Sequence, residues 1–130
     1  MSTIFSKIIT GEIPCYKIAE TESCFAFLDI NPLAKGHTLV VPKKEVNDYF
    51  NLDTQLFTEL NILSKKVAKA IKQTMPCERV GVAVIGLEVP HAHIHLIPIN
   101  NIRDIDFSRP KLDLPQAEMQ EIANTISSNI

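Results

Sequence analysis

The sequence predicts an α+β domain: a mainly antiparallel, five-stranded sheet with one long helix and one or two shorter helices around it. Three observations predict it. Five short runs rich in β-branched and apolar residues are fenced by Gly, Pro and polar turn residues. One stretch, residues 53–74, repeats Leu56, Leu60, Leu63, Val67, Ala70 and Ile71 at helical spacing. A length of 130 residues without repeat or linker suits one domain spanning residues 1–130.

Each element has its own signal. Ile4, Phe5, Ile8 and Ile9 suit a short helix stopped by Gly11 and Pro14. Residues 16–20 and 24–29 read as two strands joined by the turn-prone Thr21-Glu22-Ser23. Residues 38–41, bounded by Gly36 and Pro42, are a third strand. Asp53 is the expected N-cap of the long helix, with Leu52 and Phe57 as a hydrophobic staple. Lys65, Lys66, Lys69 and Lys72 crowd its later turns and read as a solvated face. Residues 80–85 are a fourth strand and 92–97 a fifth, fenced by Pro90 and Pro98. Residues 100–113 are polar and aperiodic, hence a loop. Met119, Ile122, Ala123 and Ile126 mark a final helix after Pro115.

Composition narrows the function. An apolar fraction of 45% and a charged fraction of 22% describe an ordinary globular chain rather than a disordered one. Thirteen basic and fifteen acidic side chains leave a net charge of −2, which argues against a general nucleic-acid binder. Cys15, Cys24 and Cys77 are odd in number and lack C-x-x-C spacing, so reduced thiols are expected, not a disulfide framework or a zinc ribbon. No apolar stretch is long enough to span a bilayer, and the N-terminus carries no signal-peptide pattern. The expectation is a cytoplasmic protein with neither nucleic-acid nor membrane partners.

The chemistry concentrates in His91-Ala92-His93-Ile94-His95. Side chains alternate across a strand, so three imidazoles share one face while Ala92, Ile94 and Leu96 share the other. In one straight strand the rings would form a line about 13 Å long. Three readings compete at this point. Chance surface histidines sit poorly with strict alternation inside an apolar strand. A zinc site needs ligands closer together than a straight strand allows. In a phosphate site, one imidazole is the nucleophile and its neighbours bind charge or move protons.

His91-Ala92-His93-Ile94-His95-Leu96-Ile97 resembles the signature of the histidine triad (HIT) family. Upstream, Ile4-Phe5-Ser6-Lys7-Ile8-Ile9 with Gly11-Glu12-Ile13-Pro14 resembles the opening of its Hint-like branch. Phe27-Leu28-Asp29-Ile30-Asn31-Pro32 and Gly36-His37-Thr38-Leu39-Val40-Val41-Pro42-Lys43-Lys44 resemble its central strands and loop. The likeness covers residues 4–99; residues 100–130, a loop and a helix, lie outside it. The resemblance implies a small-molecule nucleotide partner, a homodimer with a sheet continuous across two subunits, and hydrolysis or transfer at a nucleotide α-phosphate, with no cofactor or metal. It implies His93 as the nucleophile, His95 as a phosphate-contacting histidine, and His91 and His37 as supporting histidines. It assigns Asp29 to the ribose hydroxyls, Ile30 to the base, and Phe5, Ile8 and Phe27 to the wall of the base pocket. The long helix at 53–74 is the expected partner surface of the dimer.

The chain also departs from the family's pattern. Before the first histidine, relatives commonly carry Gly-Gln-Ser/Thr; here the stretch is Gly86-Leu87-Glu88-Val89-Pro90. Gly86 still permits close approach of backbone to phosphate. Leu87 and Glu88 replace an amide and a hydroxyl, Val80 replaces an asparagine, and Glu45 stands where a histidine is common. The family's N-terminal cysteine pair, a zinc site, is missing. A carboxylate about 4 Å from a phosphate charge is repelled by about 4 kcal/mol at an effective dielectric near 20. Glu88 therefore either turns away or stays in the site protonated, giving its proton to the leaving group; the second is the expectation. The leading function is a hydrolase or transferase acting on a purine nucleoside phosphoramidate, phosphate ester or anhydride through a nucleotidyl-histidine. The alternatives are a nucleotide sensor with little turnover and a zinc hydrolase.

Overall fold

Short strands with turn chemistry between them favour antiparallel pairing, and the chain folds that way. The computed structural model describes residues 2–130. Strands β1 (Lys17–Glu20), β2 (Cys24–Leu28), β3 (Thr38–Pro42), β4 (Arg79–Ala83) and β5 (Ile94–Ile99) form one antiparallel sheet. Their spatial order is β1-β2-β3-β5-β4. Helices α1 (Ile4–Ile9), α2 (Thr54–Thr74) and α3 (Gln116–Ser127) complete the fold, with 3₁₀ turns at Tyr49–Asn51 and Ile102–Ile105. Among the described residues no helix is long and apolar enough to cross a membrane.

The long helix starts where its cap requires: Asp53 Oδ1 accepts the Leu56 N–H at 2.9 Å. Its apolar stripe (Leu56, Leu60, Leu63, Val67, Ala70 and Ile71) is buried, and its four lysines stay in water. Leu52 and Phe57 both pack on the same core. α3 adds Met119, Ile122, Ala123 and Ile126. Together they cover the sheet face formed by Ile18, Cys24, Ala26, Leu28, Val40, Ile94 and Leu96. The opposite face carries Phe25, Phe27, Leu39 and Val41, and α1 lays Phe5 across it. Every residue of β2 and β3 is consequently buried, which is why these strands read as continuous apolar runs.

Several boundaries differ from the sequence expectation. The strand expected at 92–97 begins at Ile94, because the Ala92 N–H donates to the Val46 carbonyl (2.7 Å) instead of a ladder partner. His91 and His93 thus precede the strand, and only His95 lies in it. The strand runs through Pro98, expected as its fence. That is possible because β3 begins at Thr38, opposite Leu96, so Pro98 is paired on the β4 side alone. The strand expected at 80–85 runs 79–83, and the loop expected at 100–113 contains the short 3₁₀ turn.

Leu60 is fully buried between α2 and the sheet. Leu60→Ala is expected to cost about 3 kcal/mol of unfolding free energy through lost burial plus a cavity. Urea unfolding of the two proteins measures it, and a cost below about 1 kcal/mol would contradict this packing.

Candidate active site

The site is built on the sheet face opposite α2 and α3. His95 pairs with Leu39, and Leu39 with Phe27, so these three side chains form one row. The peptides of His91 and His93 have left the ladder, yet the alternation persists: Ala92 and Ile94 enter the main core while the imidazoles face the other way. The rings then follow in line. His93 and His95 lie 4.9 Å apart between centroids, and His95 and His37 5.3 Å. The Phe5 ring stands edge-on to His91 at 5.7 Å, to His93 at 4.9 Å and to Phe27 at 5.6 Å.

All four histidines are buried, and among the described residues no buried side-chain nitrogen or oxygen lacks a partner. The partners fix the protons. His93 Nδ1 lies 2.8 Å from the His91 carbonyl, which can only accept, so Nδ1 carries the hydrogen. The lone pair of neutral His93 is therefore on Nε2. His37 Nδ1 accepts the Leu33 N–H at 3.0 Å, so its proton sits on Nε2 and is donated to His95 Nδ1 at 3.0 Å. His95 in turn keeps its proton on Nε2. Neither His93 Nε2 nor His95 Nε2 has a protein partner, and neither is a buried orphan, so both reach the open cleft. His91 Nε2 donates to the Pro42 carbonyl at 2.8 Å, and its Nδ1 meets Thr3 Oγ1 at 2.8 Å.

Burial favours the neutral form of three of these rings, His37, His93 and His95. It pushes the His37 pKa down to about 3, with the neighbouring His95 and then Lys111 adding to the shift. It pushes His95 down to about 4, helped by His93. His93 is also lowered, mainly by burial, while its bond to the His91 carbonyl pulls the other way. Asp29, at the end of β2, is raised by burial against the pull of the Asn31 N–H on Oδ1 (2.9 Å). Its Oδ2 stands 3.6 Å from His37 Nε2.

The structure gathers Phe5, Phe27, His37, His91, His93, His95 and Asp29 into one site, with Ile8 half-buried against the phenylalanines. Ile30 is 65% exposed beyond β2. Gly86 has φ +73°, with no atom within 4 Å of where a Cβ would stand, so that side of its backbone is open. Glu88 is exposed, although its negative charge reaches both Asp29 and His93. Sequence reasoning missed several contributors. Thr3 caps α1 and meets His91; the residue type before an apolar run signals the cap, but nothing local signals the histidine. Glu45 accepts from the Thr3 N–H (2.9 Å) and Ser6 Oγ (2.6 Å), clamping α1 to the loop after β3. Phe107 and Lys111 come from the aperiodic loop and carried no signal.

Asp29, His37 and His95 each bring a potential ligand atom within 4.8 Å of the others. The donor set fits a metal poorly. The His37 nitrogen facing this cluster is the protonated one, because the Leu33 N–H occupies the other. An ion there would have to displace that proton and break both hydrogen bonds.

A family model, the HIT domain, matches residues 10–102. The chain is 36% identical over 132 residues to an adenosine 5'-monophosphoramidase of Schizosaccharomyces pombe, covering 100% of this chain and 99% of that one. It is 40% identical over 96 residues to an adenosine 5'-monophosphoramidase of Saccharomyces cerevisiae, covering 73% and 61% of the two chains. Among solved structures, a Hit-like protein from Bartonella henselae superposes with a TM-score of 0.85 at 30% identity, covering 99% of this chain and 97% of that one.

The hydrogen-bond pattern predicts one set of tautomers. At neutral pH, ¹⁵N–¹H long-range correlation spectra are expected to show His93 protonated on Nδ1, and His37 and His95 on Nε2. A His93 signal with the proton on Nε2 would contradict the arrangement.

Proposed function

The chain belongs to the HIT domain family, and from that premise we propose that it is a nucleotide hydrolase or transferase acting at an α-phosphate. Its substrate is a purine nucleoside phosphoramidate, phosphate ester or anhydride, and the reaction passes through a nucleotidyl-histidine. The observation that carries this reading is the 2.8 Å bond between His93 Nδ1 and the His91 carbonyl. It leaves an unprotonated, desolvated Nε2 facing the cleft, which is what a nucleophilic imidazole requires. The names of the two yeast relatives support the substrate class.

The steps follow from the tautomers. His93 Nε2 attacks the α-phosphorus, and the bond from phosphorus to the leaving group breaks. The ring becomes cationic while it carries the nucleotidyl group, and the His91 carbonyl, already bonded to Nδ1–H, stabilises that charge. His95 Nε2–H donates a hydrogen bond to a phosphate oxygen, and the leaving group takes its proton from solvent. Water then attacks phosphorus and gives its spare proton to solvent, and the phosphorus–nitrogen bond breaks to free His93 Nε2. Asp29, with Oδ2 directed at no N–H closer than 3.6 Å, has acceptor capacity left for ribose hydroxyls. Phe5, Ile8, Phe27 and Ile30 offer apolar surface for the base, and the open side of the Gly86 backbone can approach the phosphate. No step requires a metal.

A second reading, a nucleotide sensor with little turnover, is favoured by one observation. Neither Leu87, 89% exposed, nor Glu88 brings an amide or hydroxyl side chain to the loop before the triad. Incubation with a nucleoside phosphoramidate separates the two: release of the amine supports the hydrolase, and bound, intact ligand supports the sensor.

We also propose a homodimer. β4 is an edge strand with Val82 63% exposed, and Ile62 on α2 is half exposed. An unpaired edge bearing apolar side chains calls for a cover, and two-fold pairing of β4 supplies one.

His93→Ala is expected to lower kcat by at least about a thousandfold while leaving nucleotide affinity within a few-fold, because the covalent step is lost and few ground-state contacts are. Stopped assays with and without a chelator measure it, and turnover near that of the wild type would overturn the mechanism. Light scattering at micromolar concentration is expected to give the dimer mass, and a monomer mass would overturn the pairing.

A further inference from the structure

The loop that follows β5 returns over the cleft. Its Phe107 ring stands edge-on to His95 at 4.7 Å between centroids and to His37 at 6.1 Å. The 3.0 Å bond between those two histidines therefore lies under Phe107, as the His91–His93 half of the row lies under Phe5. We propose that Phe107 is a positioning residue for the reaction: it keeps water off the His37–His95 hydrogen bond, so that His95 presents its one proton, on Nε2, to the substrate. The proposal rests on the role given to His95 above.

The loop is built to hold the ring in place. Ser108 donates through both N–H and Oγ to Asp106 Oδ1, at 2.9 and 2.7 Å. Lys111 Nζ donates to the Phe107 carbonyl at 2.6 Å, and the Leu112 N–H donates to the Pro32 carbonyl at 2.8 Å, tying the loop to the turn beyond Asp29. Upstream, Ile105 lies so close to β4 that a Cβ on Gly81 would come within 2.9 Å of its Cδ1. The loop thus rests on the sheet on one side and on the Asp29 turn on the other.

The physical effect is on both donor order and protonation. Water admitted between the rings could bond to either nitrogen of each, and the single tautomer of His95 would no longer be enforced. Desolvation is also the leading cause of the low pKa of both rings. The other charged or titratable groups facing the pair are His93 beside His95, Asp29 at 3.6 Å from His37, and Lys111, whose charge reaches His37 and Asp29. Glu88 acts on His93 and Asp29. Phe107 is the uncharged member of this shell.

The test uses Phe107→Ala and Phe107→Leu in the full chain. Imidazole titrations of the ligand-free proteins by NMR are expected to give higher midpoints for His37 and His95 in Phe107→Ala, with Phe107→Leu between it and the wild type. His91 is expected to keep its wild-type spectrum. With a nucleoside phosphoramidate, kcat is expected to fall about tenfold in Phe107→Ala with KM little changed, and the acid limb to move to higher pH. Wild-type midpoints for His37 and His95 in both variants would overturn the proposal. Raised midpoints alongside a wild type that turns over no nucleotide would support the cap and overturn the hydrolase reading instead.

Discussion

Desolvation favours the neutral form of the buried rings of His37, His93 and His95, and the one proton of each then sits on the nitrogen that its partners leave to it. Much of the site follows from that constraint. The His91 carbonyl accepts from His93, the Pro42 carbonyl from His91, and His95 from His37, while the Leu33 N–H fixes His37. No partner is a charged side chain, so the protons are ordered without an ion pair. Two nitrogens, one bare and one protonated, are left without a protein partner: Nε2 of His93 and Nε2 of His95.

The sheet can meet this constraint because its two faces are used differently. Ala92, Ile94 and Leu96 are held by α2 and α3, so the backbone at 91–96 is fixed from behind, and the imidazoles opposite have little freedom to turn. On the site face, no helix longer than α1 is present among the described residues. The covering there is piecemeal: Phe5 from the N-terminal helix and Phe107 from the loop after β5. The rigid layer is responsible for geometry, and the light layer for desolvation and access.

Much of this was legible in the sequence where periodicity and chemistry coincide. The alternation of histidine with Ala92, Ile94 and Leu96 states which face is core, and the leucine spacing from Leu56 to Leu63 states where the long helix lies. What could not be read depends on partners distant in the chain. The start of β5 is moved by a bond from Ala92 to Val46, and Thr3 meets a histidine 88 residues away. Neither leaves a local trace. Phe107 sits in a stretch with no period at all, so only the folded chain reveals that it touches His95. Glu45 stands out in the sequence as a departure from relatives, and its bonds to Thr3 and Ser6 give it a structural task.

The Glu45 clamp has a consequence for how the cleft opens. α1 is a six-residue helix whose Thr3 and Ser6 are both held by one exposed carboxylate oxygen, whereas β2 and β3 are buried along their whole length. Amide exchange is therefore graded across the domain: slowest in the central strands, and faster in the segment that carries Phe5. Lifting α1 is a local unfolding event, separate from loss of the sheet. Such an excursion uncovers the Phe27 face while the central strands stay paired.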